Sequence, residues 1–482
     1  MLGGAGALGA GLSASASPLF KGHSLSSAAL RSTAGRAGQL PRPTAPQLRR
    51  WTLTATDGFV SMPDPALLDQ IAPYWPDVLA PNDPATDMAN MYIFGFVEVT
   101  DIAGFASSAN LPPAFDPTQL ITAVDFKGKA QLTAPVLYCD EGDDVRLTLR
   151  NDGLATRPDL FDNHTVHWHG FPNQIPYFDG VPDASIGVPD GSELTYQFIP
   201  VDPGTYMYHC HVEDVEHVTM GLHGMVFVRP AKGKNYAYND TDNSTQFDRQ
   251  FVFLLTDANV ENHWNDGHIQ VSDWSQYRST FSLMNGRAWP DTIEPNGPFY
   301  DRDTNAWRGS QLAGSAAVRL AHNPYSSLIQ AKAGERVLLR LSNLGFDEKS
   351  LMLPGIELTV VGRDAKFLGT GRPDYFGAGA RGAITYKTDR IDIGPGESRD
   401  VIFTAPAVTA SATADAPDVY TLYDRSVLFL GKNTSPAAGA EAKDGLGALR
   451  TEIHIYPATS PLMQTQQHPS QLFPRSNGSF HS

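Results

Sequence analysis

Two short segments of this 482-residue chain concentrate residue types that bind metals. Seven of its 14 histidines fall between positions 164 and 223, in the segments HTVHWHG (164–170) and YHCH (208–211) and just after the second segment. The second segment also contains Cys210, one of only two cysteines in the chain. Imidazole nitrogens and a thiolate sulfur are ligands for copper and zinc. The chemistry that these segments indicate is therefore metal chemistry.

The alternation of side chains along a β-strand sorts these residues into two groups. Both segments read as strands, in which successive side chains point to opposite faces. Four histidines then share the outer face: His167, His169, His209 and His211. His164 and Cys210 point to the opposite, core side, and His217 arrives there from the loop beyond. The sequence therefore predicts an inner site and an outer site, back to back.

The donor types of each group indicate copper. Two imidazoles and one thiolate, from His164, His217 and Cys210, form the trigonal set of a blue-copper electron-transfer site with a weak axial neighbour or none. Four neutral imidazoles on the outer face can hold one or more copper ions. Cys210 is covalently continuous with His209 and His211, so an electron at the inner site has a short bonded route outward. We therefore predict that these last three residues are catalytic.

Each part of this pattern also has an ordinary explanation. A lone His-x-His pair on a strand is usually accidental, and His-Cys-His alone could be half of a zinc site. An isolated cysteine is by default an inert buried thiol, which is our interpretation of Cys139. We interpret His223 as a residue around the site or at the surface. The conjunction of two His-x-His pairs in register with a cysteine and two further histidines favours the metal sites.

The elements that position these residues read as many short strands. Charged residues make up 18% of the chain, and 43 Gly and 36 Pro favour strands and turns over long helices. One β-rich segment runs from Ala134 to Pro230 and another from Arg249 to Pro457. EGDDVRLTLRN (141–151) in the first parallels AGERVLLRLSN (333–343) in the second. This internal repeat predicts two β-sandwiches related by duplication.

Charge and the ends of the chain set limits on partners and location. The formal net charge is -16 at pH 7, which argues against a nucleic-acid partner. No run of about 18 uncharged apolar residues follows residue 60, so we expect no membrane span in the mature chain. Residues 1–56 contain no Asp or Glu and resemble an export leader, with a transit peptide as the alternative. We expect this leader to be removed and the protein to be extracytoplasmic, either periplasmic or secreted, with a flexible tail over 458–482.

The chain resembles the cupredoxin superfamily, and within it the multicopper oxidases, laccases included, and the two-domain copper nitrite reductases. HTVHWHG, DPGTYMYHCHVEDVEH, FSLMNGRAWPDT and PYSSLIQAKAGERVLLRLSNLG carry this resemblance, which covers about residues 90–457. It implies an all-β fold of two tandem cupredoxin-like Greek-key sandwiches. Domain 1 would span 57–232 and hold the copper ligands, whereas domain 2, over 240–457, would lack them.

The resemblance also assigns ligands. It implies a type 1 copper on His164, Cys210 and His217, with Leu222 at a weakly coordinating or non-coordinating axial position. By the same resemblance, a set of four residues corresponds to half of a type 2/type 3 centre: His167, His169, His209 and His211. A full centre of this kind normally draws on eight histidines. The matching stretches of the second half, SLMLPGIELTVVG and TLYDRSVLFL, contain none, and His322 and His454 stand alone.

Three interpretations of the outer site therefore stay open. First domains of two subunits could pool eight histidines, or the four histidines could bind fewer coppers with water or a carboxylate such as Glu213 or Asp214. Alternatively, the outer site is vestigial. We expect a homo-oligomer, with a trimer favoured because two-domain relatives commonly form trimers.

The predicted function is a multicopper oxidase-like oxidoreductase. It would take electrons from a small reducing substrate at the type 1 copper and pass them to O2 at the outer centre. A nitrite reductase-like enzyme is one alternative, although those enzymes carry Asp where this chain has His167. A non-catalytic copper electron-transfer protein is the other. Glu213, Asp214 and Glu216 would attract a cationic substrate or relay protons, or else form a solvated acidic loop.

Overall fold

The computed structural model describes residues 46–63, 74–80, 90–101, 126–171, 175–303, 305–308, 310–373, 380–425 and 448–460. The predicted tail beyond residue 460 and the first 45 residues of the predicted leader lie outside this range. Among the described helices, none is long and apolar enough to cross a membrane.

The predicted leader boundary at residue 56 is wrong. Residues 48–60 form the first strand, in which Trp51, Leu53 and Ala55 are buried in the core of the first half. These alternate positions face inward, and the strand pairs with two others. Residues 48–56 therefore belong to the folded part of the chain. The lack of acidic residues did not distinguish them from a leader, because a buried strand also lacks charges at its inward positions.

The described part of the first half forms a sandwich of two four-stranded sheets. Its strands are β1 (Leu48–Val60), β2 (Met91–Glu98), β3 (Leu137–Asp140), β4 (Asp144–Asn151), β5 (His167–His169), β6 (Glu193–Phe198), β7 (Gly204–His209) and β8 (His223–Arg229). One sheet has the order β2-β1-β4-β6 and the other β3-β8-β7-β5. Their facing side chains form one hydrophobic core, which includes Leu53, Leu147, Tyr208 and Val226. Helix α1 (Asp214–Met220) and a 3-10 turn (Pro176–Phe178) complete this half.

The second half repeats this arrangement with additions. Its strands are β9 (Arg249–Ala258), β10 (Phe281–Met284), β11 (Phe299–Asp301), β12 (Ala306–Arg308), β13 (Ile329–Lys332), β14 (Arg336–Asn343), β15 (Lys349–Met352), β16 (Leu358–Arg363), β17 (Lys366–Phe367), β18 (Arg372–Pro373), β19 (Ala380–Arg381), β20 (Tyr386–Thr388), β21 (Arg390–Ile393), β22 (Ser398–Thr404), β23 (Asp418–Asp424) and β24 (Arg450–Tyr456). Its helices are α2 (Val260–Gly267) and α3 (Gly314–Arg319), with 3-10 turns at Trp274–Gln276 and Asp291–Ile293.

The strand order confirms the predicted duplication. The order β10-β9-β14-β22 in one sheet of the second half matches β2-β1-β4-β6, and β13-β24-β23-β15 matches β3-β8-β7-β5. The parallel pairs β9·β14 and β13·β24 likewise correspond to β1·β4 and β3·β8. The chain is therefore all-β, as predicted, and β15 takes the place that β5, with its two histidines, has in the first half.

The two halves pack through one face of the sheet β3-β8-β7-β5. Met225 and Phe227 of β8 share a hydrophobic cluster with Val252 and Leu254 of β9. Nearer the edge, the hydroxyl of Thr205 in β7 donates to the buried Asp400 of β22. The histidines of β5 and β7 lie on this same face, because side chains of equal parity point the same way. The second half therefore borders the outer histidines.

Candidate metal centre

The antiparallel pairing of β5 with β7 positions the histidines of both strands. His167 lies opposite His209, and Trp168 lies opposite Tyr208. Trp168 and Tyr208 are buried in the sandwich core, so the paired histidines face outward from it. The predicted alternation of faces is confirmed.

The inner group is a compact set of three buried side chains. His164, Cys210 and His217 each offer one ligand atom, and these atoms lie within 4.8 Å of one another. Cys210 Sγ is 3.3 Å from Nδ1 of His217 and 3.9 Å from Nδ1 of His164. The backbone N–H of Thr165 also donates to this sulfur, at 3.4 Å. The three side chains therefore direct one cysteine sulfur and two Nδ1 atoms at the same small volume.

The electrostatics of this group favour a thiolate. Burial by itself would raise the pKa of the Cys210 thiol, but hydrogen bonds and positive charge from His164 and His217 hold it well below its ordinary value. A thiolate is the form of cysteine that binds metal. The sulfur is therefore prepared for a metal ion.

Helix α1 delivers His217 to the inner group. The residue is fully buried, and its ring meets Phe94 edge-on at 5.8 Å between centroids. Its second nitrogen, Nε2, lies 3.5 Å from Oδ2 of Asp162. Burial lowers the pKa of His217, but Asp162 and Cys210 outweigh burial and raise it to about 10. The ring is thus fixed between a sulfur on one side and a carboxylate on the other.

Leu222 is held against the inner group by the backbone. The N–H of Cys210 donates to the Leu222 carbonyl at 3.0 Å, and the Leu222 N–H donates to the His217 carbonyl at 3.0 Å. The leucine side chain is fully buried and has no donor atom for a metal. Its assignment to the axial position stays a prediction.

The outer group brings three nitrogens together. His167, His169 and His209 each offer one nitrogen within 4.8 Å of the others, and Nδ1 of His169 lies 3.3 Å from Nε2 of His209. The ring of His211 stands beside them, 5.0 Å from His167 and 5.7 Å from His209 between centroids. His211 is therefore adjacent to the group but is not one of its three converging nitrogens.

Backbone carbonyls fix which nitrogen two of these rings, His167 and His209, offer. Nδ1 of His167 bonds to the Asp179 carbonyl at 2.7 Å, and Nδ1 of His209 bonds to the Cys210 carbonyl at 2.8 Å. Each ring must then present Nε2 to the group. Such a bond to the second ring nitrogen is typical of metal-binding histidines. Burial lowers the pKa of His209 to about 3, so the imidazole is neutral, the form that binds metal.

The second half closes one side of the outer group without adding an imidazole. The backbone at Gly396 hydrogen-bonds to His169, and the charge of Asp364 also acts on that ring. A Cβ at Gly396 would lie 3.4 Å from Cε1 of His169, so the contact is close. The histidines that the structure describes in the second half all bond elsewhere: His263 to the Tyr92 carbonyl, His268 to Asp77, His322 to the backbone of Lys129 and Ala130, and His454 to Glu452.

Carboxylates surround His217, and sequence reasoning identified only some of them. Asp162 and Glu213 each place an oxygen within 4.8 Å of a His217 nitrogen, so Glu213 lies beside the inner group. Asp162 was missed, although it lies only two residues before His164. Asp266 was also missed, because α2 brings it in from the second half and no local pattern marks it.

Cys139 and His223, which the sequence placed outside the metal sites, are both buried. Cys139 is a buried free thiol, and burial raises its pKa well above the ordinary value, as expected for an inert cysteine. His223 is also buried, with its Nδ1 bonded to the Val218 carbonyl at 2.7 Å, so the surface interpretation of this residue is wrong.

Comparison with known proteins agrees with the donor sets. Residues 125–233 match the sequence profile of the multicopper oxidase family. The chain is 33% identical over 160 residues to multicopper oxidase VdtB of Byssochlamys spectabilis, a match that covers 32% of this chain and 20% of that protein. It is 26% identical over 306 residues to copper resistance protein A of Escherichia coli, which covers 56% and 46%. The chain thus spans less than half the length of these curated relatives.

Solved structures show the fold. A blue copper oxidase from Nitrosomonas europaea superposes with a TM-score of 0.51 at 18% identity, covering 85% of this chain and 86% of that one. The multicopper oxidase mgLAC gives 0.50 at 16% identity, covering 86% and 88%. The fold is that of tandem cupredoxin-like sandwiches. A buried thiolate with two Nδ1 atoms, and a separate set of neutral imidazoles, are donors that suit copper. The residues present therefore fit the metal that the match to the multicopper oxidase profile implies.

Proposed function

We propose that this chain is a copper-dependent oxidoreductase that passes electrons from a reducing substrate to O2. The match of residues 125–233 to the multicopper oxidase family supports this proposal. His164, Cys210 and His217 would hold a type 1 copper, and His167, His169 and His209 would hold copper at the outer centre. Copper supplies the one-electron chemistry when bound, and the protein supplies geometry and environment.

The position of Cys210 carries this proposal. Its sulfur lies 3.3 Å from Nδ1 of His217 at the inner site, and its neighbour in sequence, His209, offers a nitrogen to the outer group. The carbonyl of Cys210 itself accepts a hydrogen bond from Nδ1 of His209 at 2.8 Å. One residue therefore links both sites through covalent bonds and through this hydrogen bond. Electron transfer from the inner site, which the substrate would reduce, to the outer centre, which would reduce O2, needs such a link.

The burial of the inner group has a second role. His164 and His217 are essentially inaccessible to solvent, so water cannot compete for the metal position between them and the thiolate. His167, in contrast, is partly exposed. An outer centre that O2 must reach needs such access, whereas an electron-transfer site does not.

We also propose that one chain binds a single outer copper. Three converging nitrogens suffice for one ion, and the histidines described in the second half bond elsewhere. Additional coppers would require imidazoles from outside the part of the chain that the structure describes, for example from another copy of the chain. We propose that the protein is a homotrimer, which a measurement of its mass in solution tests. We also propose an extracytoplasmic location, because the first 45 residues contain no Asp or Glu, as in an export leader. Cell fractionation tests this location.

The experiment is a copper count on anaerobically reduced and then air-reoxidised protein, read together with absorption and EPR spectra. We expect a blue band, two coppers per chain and reoxidation by air. The double variant His167→Ala/His169→Ala should keep the blue band, lose the second copper and stop consuming O2. His454→Ala, a second-half histidine bonded to Glu452, is the matched control.

Two results would contradict the proposal. Unchanged O2 consumption in the double variant would refute the outer centre. A blue band with one copper and no reoxidation by air would identify an electron-transfer protein instead.

A further inference from the structure

Two buried histidines that neither copper group uses lie between the halves of the chain. His223 of β8 is 2% exposed and His263 of α2 is 1% exposed. His223 shares a face of β8 with Met225 and Phe227, which pack against the second half. His263 belongs to the second half, and its Nδ1 bonds to the carbonyl of Tyr92 in the first half at 2.6 Å. The two rings, which we call the buried histidine pair, therefore enter the contact between the halves from opposite sides.

Strand β2 brings the two rings into the same neighbourhood. His263 contacts the Tyr92 carbonyl, and Gly221 lies so close to the Phe94 carbonyl that a Cβ would not fit there. Gly221 precedes His223 by two residues, as Tyr92 precedes Phe94. Carbonyls two residues apart along a strand point in the same direction. Positive charge on His223 also lowers the pKa of His263, as expected for neighbouring rings.

Hydrogen bonds to the backbone fix the tautomer of both rings. Nδ1 of His223 bonds to the Val218 carbonyl at 2.7 Å, and Nδ1 of His263 bonds to the Tyr92 carbonyl. A carbonyl oxygen can only accept a hydrogen bond, so Nδ1 carries the proton in each ring. Burial lowers the pKa of each histidine to about 4, so both rings are neutral at pH 7. Each Nε2 then has a free lone pair.

The two lone pairs point into the protein interior. Both Nε2 atoms are buried, and neither has a hydrogen-bond partner in the part of the chain that the structure describes. A buried polar atom without a partner is costly, which favours a ligand that binds to both lone pairs. A water molecule and a metal ion are the two kinds of ligand small enough for such a place.

We propose that the buried histidine pair binds one Cu(I) ion, which joins the two halves. Two neutral nitrogens complete the coordination of Cu(I), because this ion binds two imidazoles in a linear arrangement, and imidazole suits copper. A buried water, in contrast, typically makes about three hydrogen bonds, and the pair offers two acceptors. This site does not depend on the oxidase function.

The charge around the pair selects a monovalent ion. Among the described residues, no carboxylate shifts the pKa of either ring, and burial is the main cause of both shifts. A divalent ion would bring two uncompensated positive charges into a buried place, and Zn(II) and Cu(II) bind more donors than two. Cu(I) brings one charge. The pair therefore adds no copper to a chain that is loaded with Cu(II).

The pair is separate from the two copper groups. His209 lies opposite His223 in the ladder of β7 with β8, but its Nε2 lies 3.3 Å from Nδ1 of His169 in the outer group. Neither His223 nor His263 belongs to the sets of three converging ligand atoms among the described residues. A Cu(I) ion on the pair is therefore additional to the inner and outer coppers.

The test measures Ag(I) binding to the full chain after its copper sites have been filled with Cu(II). Ag(I) has the charge and the linear coordination of Cu(I), and air does not oxidise it. Calorimetric titration gives the affinity, and elemental analysis after gel filtration gives the count. We expect one silver ion per chain, and at least about tenfold weaker binding in His223→Asn and in His263→Asn. The asparagine amide can still donate to the backbone carbonyl but has no atom in place of Nε2.

Two variants serve as controls for this titration. His454→Asn removes a second-half histidine that bonds to Glu452 and should keep the silver site. Cys139→Ser removes a buried free thiol, which is a competing ligand for Ag(I), and should leave the silver count unchanged. Copper content and the blue band are recorded for every variant. If His223→Asn loses copper, His263→Asn decides the question, because α2 carries none of the proposed copper ligands.

Three results would overturn the inference. No Ag(I) uptake by the wild type would leave the pair with water alone. Equal affinity of His263→Asn and the wild type for Ag(I) would place the silver elsewhere, as would a loss of silver in Cys139→Ser. Finally, the reduced wild type should take up one additional Cu(I) per chain without air, and His263→Asn should not; absence of this uptake in the wild type would exclude copper as the ion.

Discussion

Cys210 connects the two candidate sites at the scale of single residues. Its side chain points into the sandwich core toward His164 and His217, while the residues on either side of it, His209 and His211, point outward. The strand alternation that produces this division is a backbone property. It could therefore be predicted from the order of residues alone.

Substitution of Cys210 by Ser is the direct test of the inner site. A serine hydroxyl does not ionise near neutral pH and is a poor ligand for Cu(II), so Cys210→Ser should abolish the blue absorption. The nitrogens of the outer group come from other residues and should still bind copper. Elemental analysis and visible spectroscopy check both outcomes, and Cys139→Ser, at the buried inert thiol, is the control. Blue absorption that persists in Cys210→Ser would refute the assignment.

At the scale of elements, helix α2 ties the second half to the first. Nδ1 of His263 in α2 bonds to the Tyr92 carbonyl in β2 at 2.6 Å, and Asp266 near the end of the same helix lies in the electrostatic field of Glu216 and His217. Burial and the negative charge of Glu216 together raise the pKa of Asp266 to about 7. A short helix inserted after β9 thus brings residues to the inner site from about 50 positions away.

His263 makes stability depend on pH. Burial lowers its pKa to about 4, whereas an unfolded histidine has a pKa of about 6.5. The unfolded state therefore binds a proton between about pH 6.5 and 4 that the folded state does not. The stability contribution of this residue is complete above about pH 6.5 and is lost as the pH falls toward 4, by about 2 kcal/mol between pH 7 and 5.

The variant His263→Asn tests this linkage. The asparagine amide can still donate to the Tyr92 carbonyl but does not titrate. The free energy of unfolding in urea should fall less between pH 7 and 5 in the variant than in the wild type. Equal pH dependence in the two proteins would show that His263 is not neutral and buried in solution.

At the scale of the whole molecule, a buried polar junction holds the two halves together. Asp400 of β22 accepts hydrogen bonds from Thr205 of β7 and from Tyr238, and Arg340 lies 3.4 Å away. Asp400 and Arg340 are both essentially inaccessible to solvent. The junction lies on the sheet face that also carries the outer histidines, so it helps to place Gly396 against His169.

Removal of the Asp400 carboxylate should be strongly destabilising. In Asp400→Ala the buried Arg340 loses its counter-ion, which typically costs about 3–5 kcal/mol. Urea unfolding measures the loss. Asp392→Ala is the control, since that exposed residue pairs with Arg390 at the surface and should cost about 1 kcal/mol or less. A loss below about 1 kcal/mol in Asp400→Ala would contradict a structural role for the junction.

The sequence by itself determined the all-β fold, the duplication, and the two groups of histidines. Strand alternation and internal repeats can be recognised from the order of the residues alone. Only the tertiary structure decided that residues 48–56 belong to the fold, that the second half borders the outer histidines, and that Asp162 and Asp266 meet beside His217. These contacts join residues far apart in the chain. Their existence depends on how sheets and inserted helices pack, and no local pattern encodes that packing.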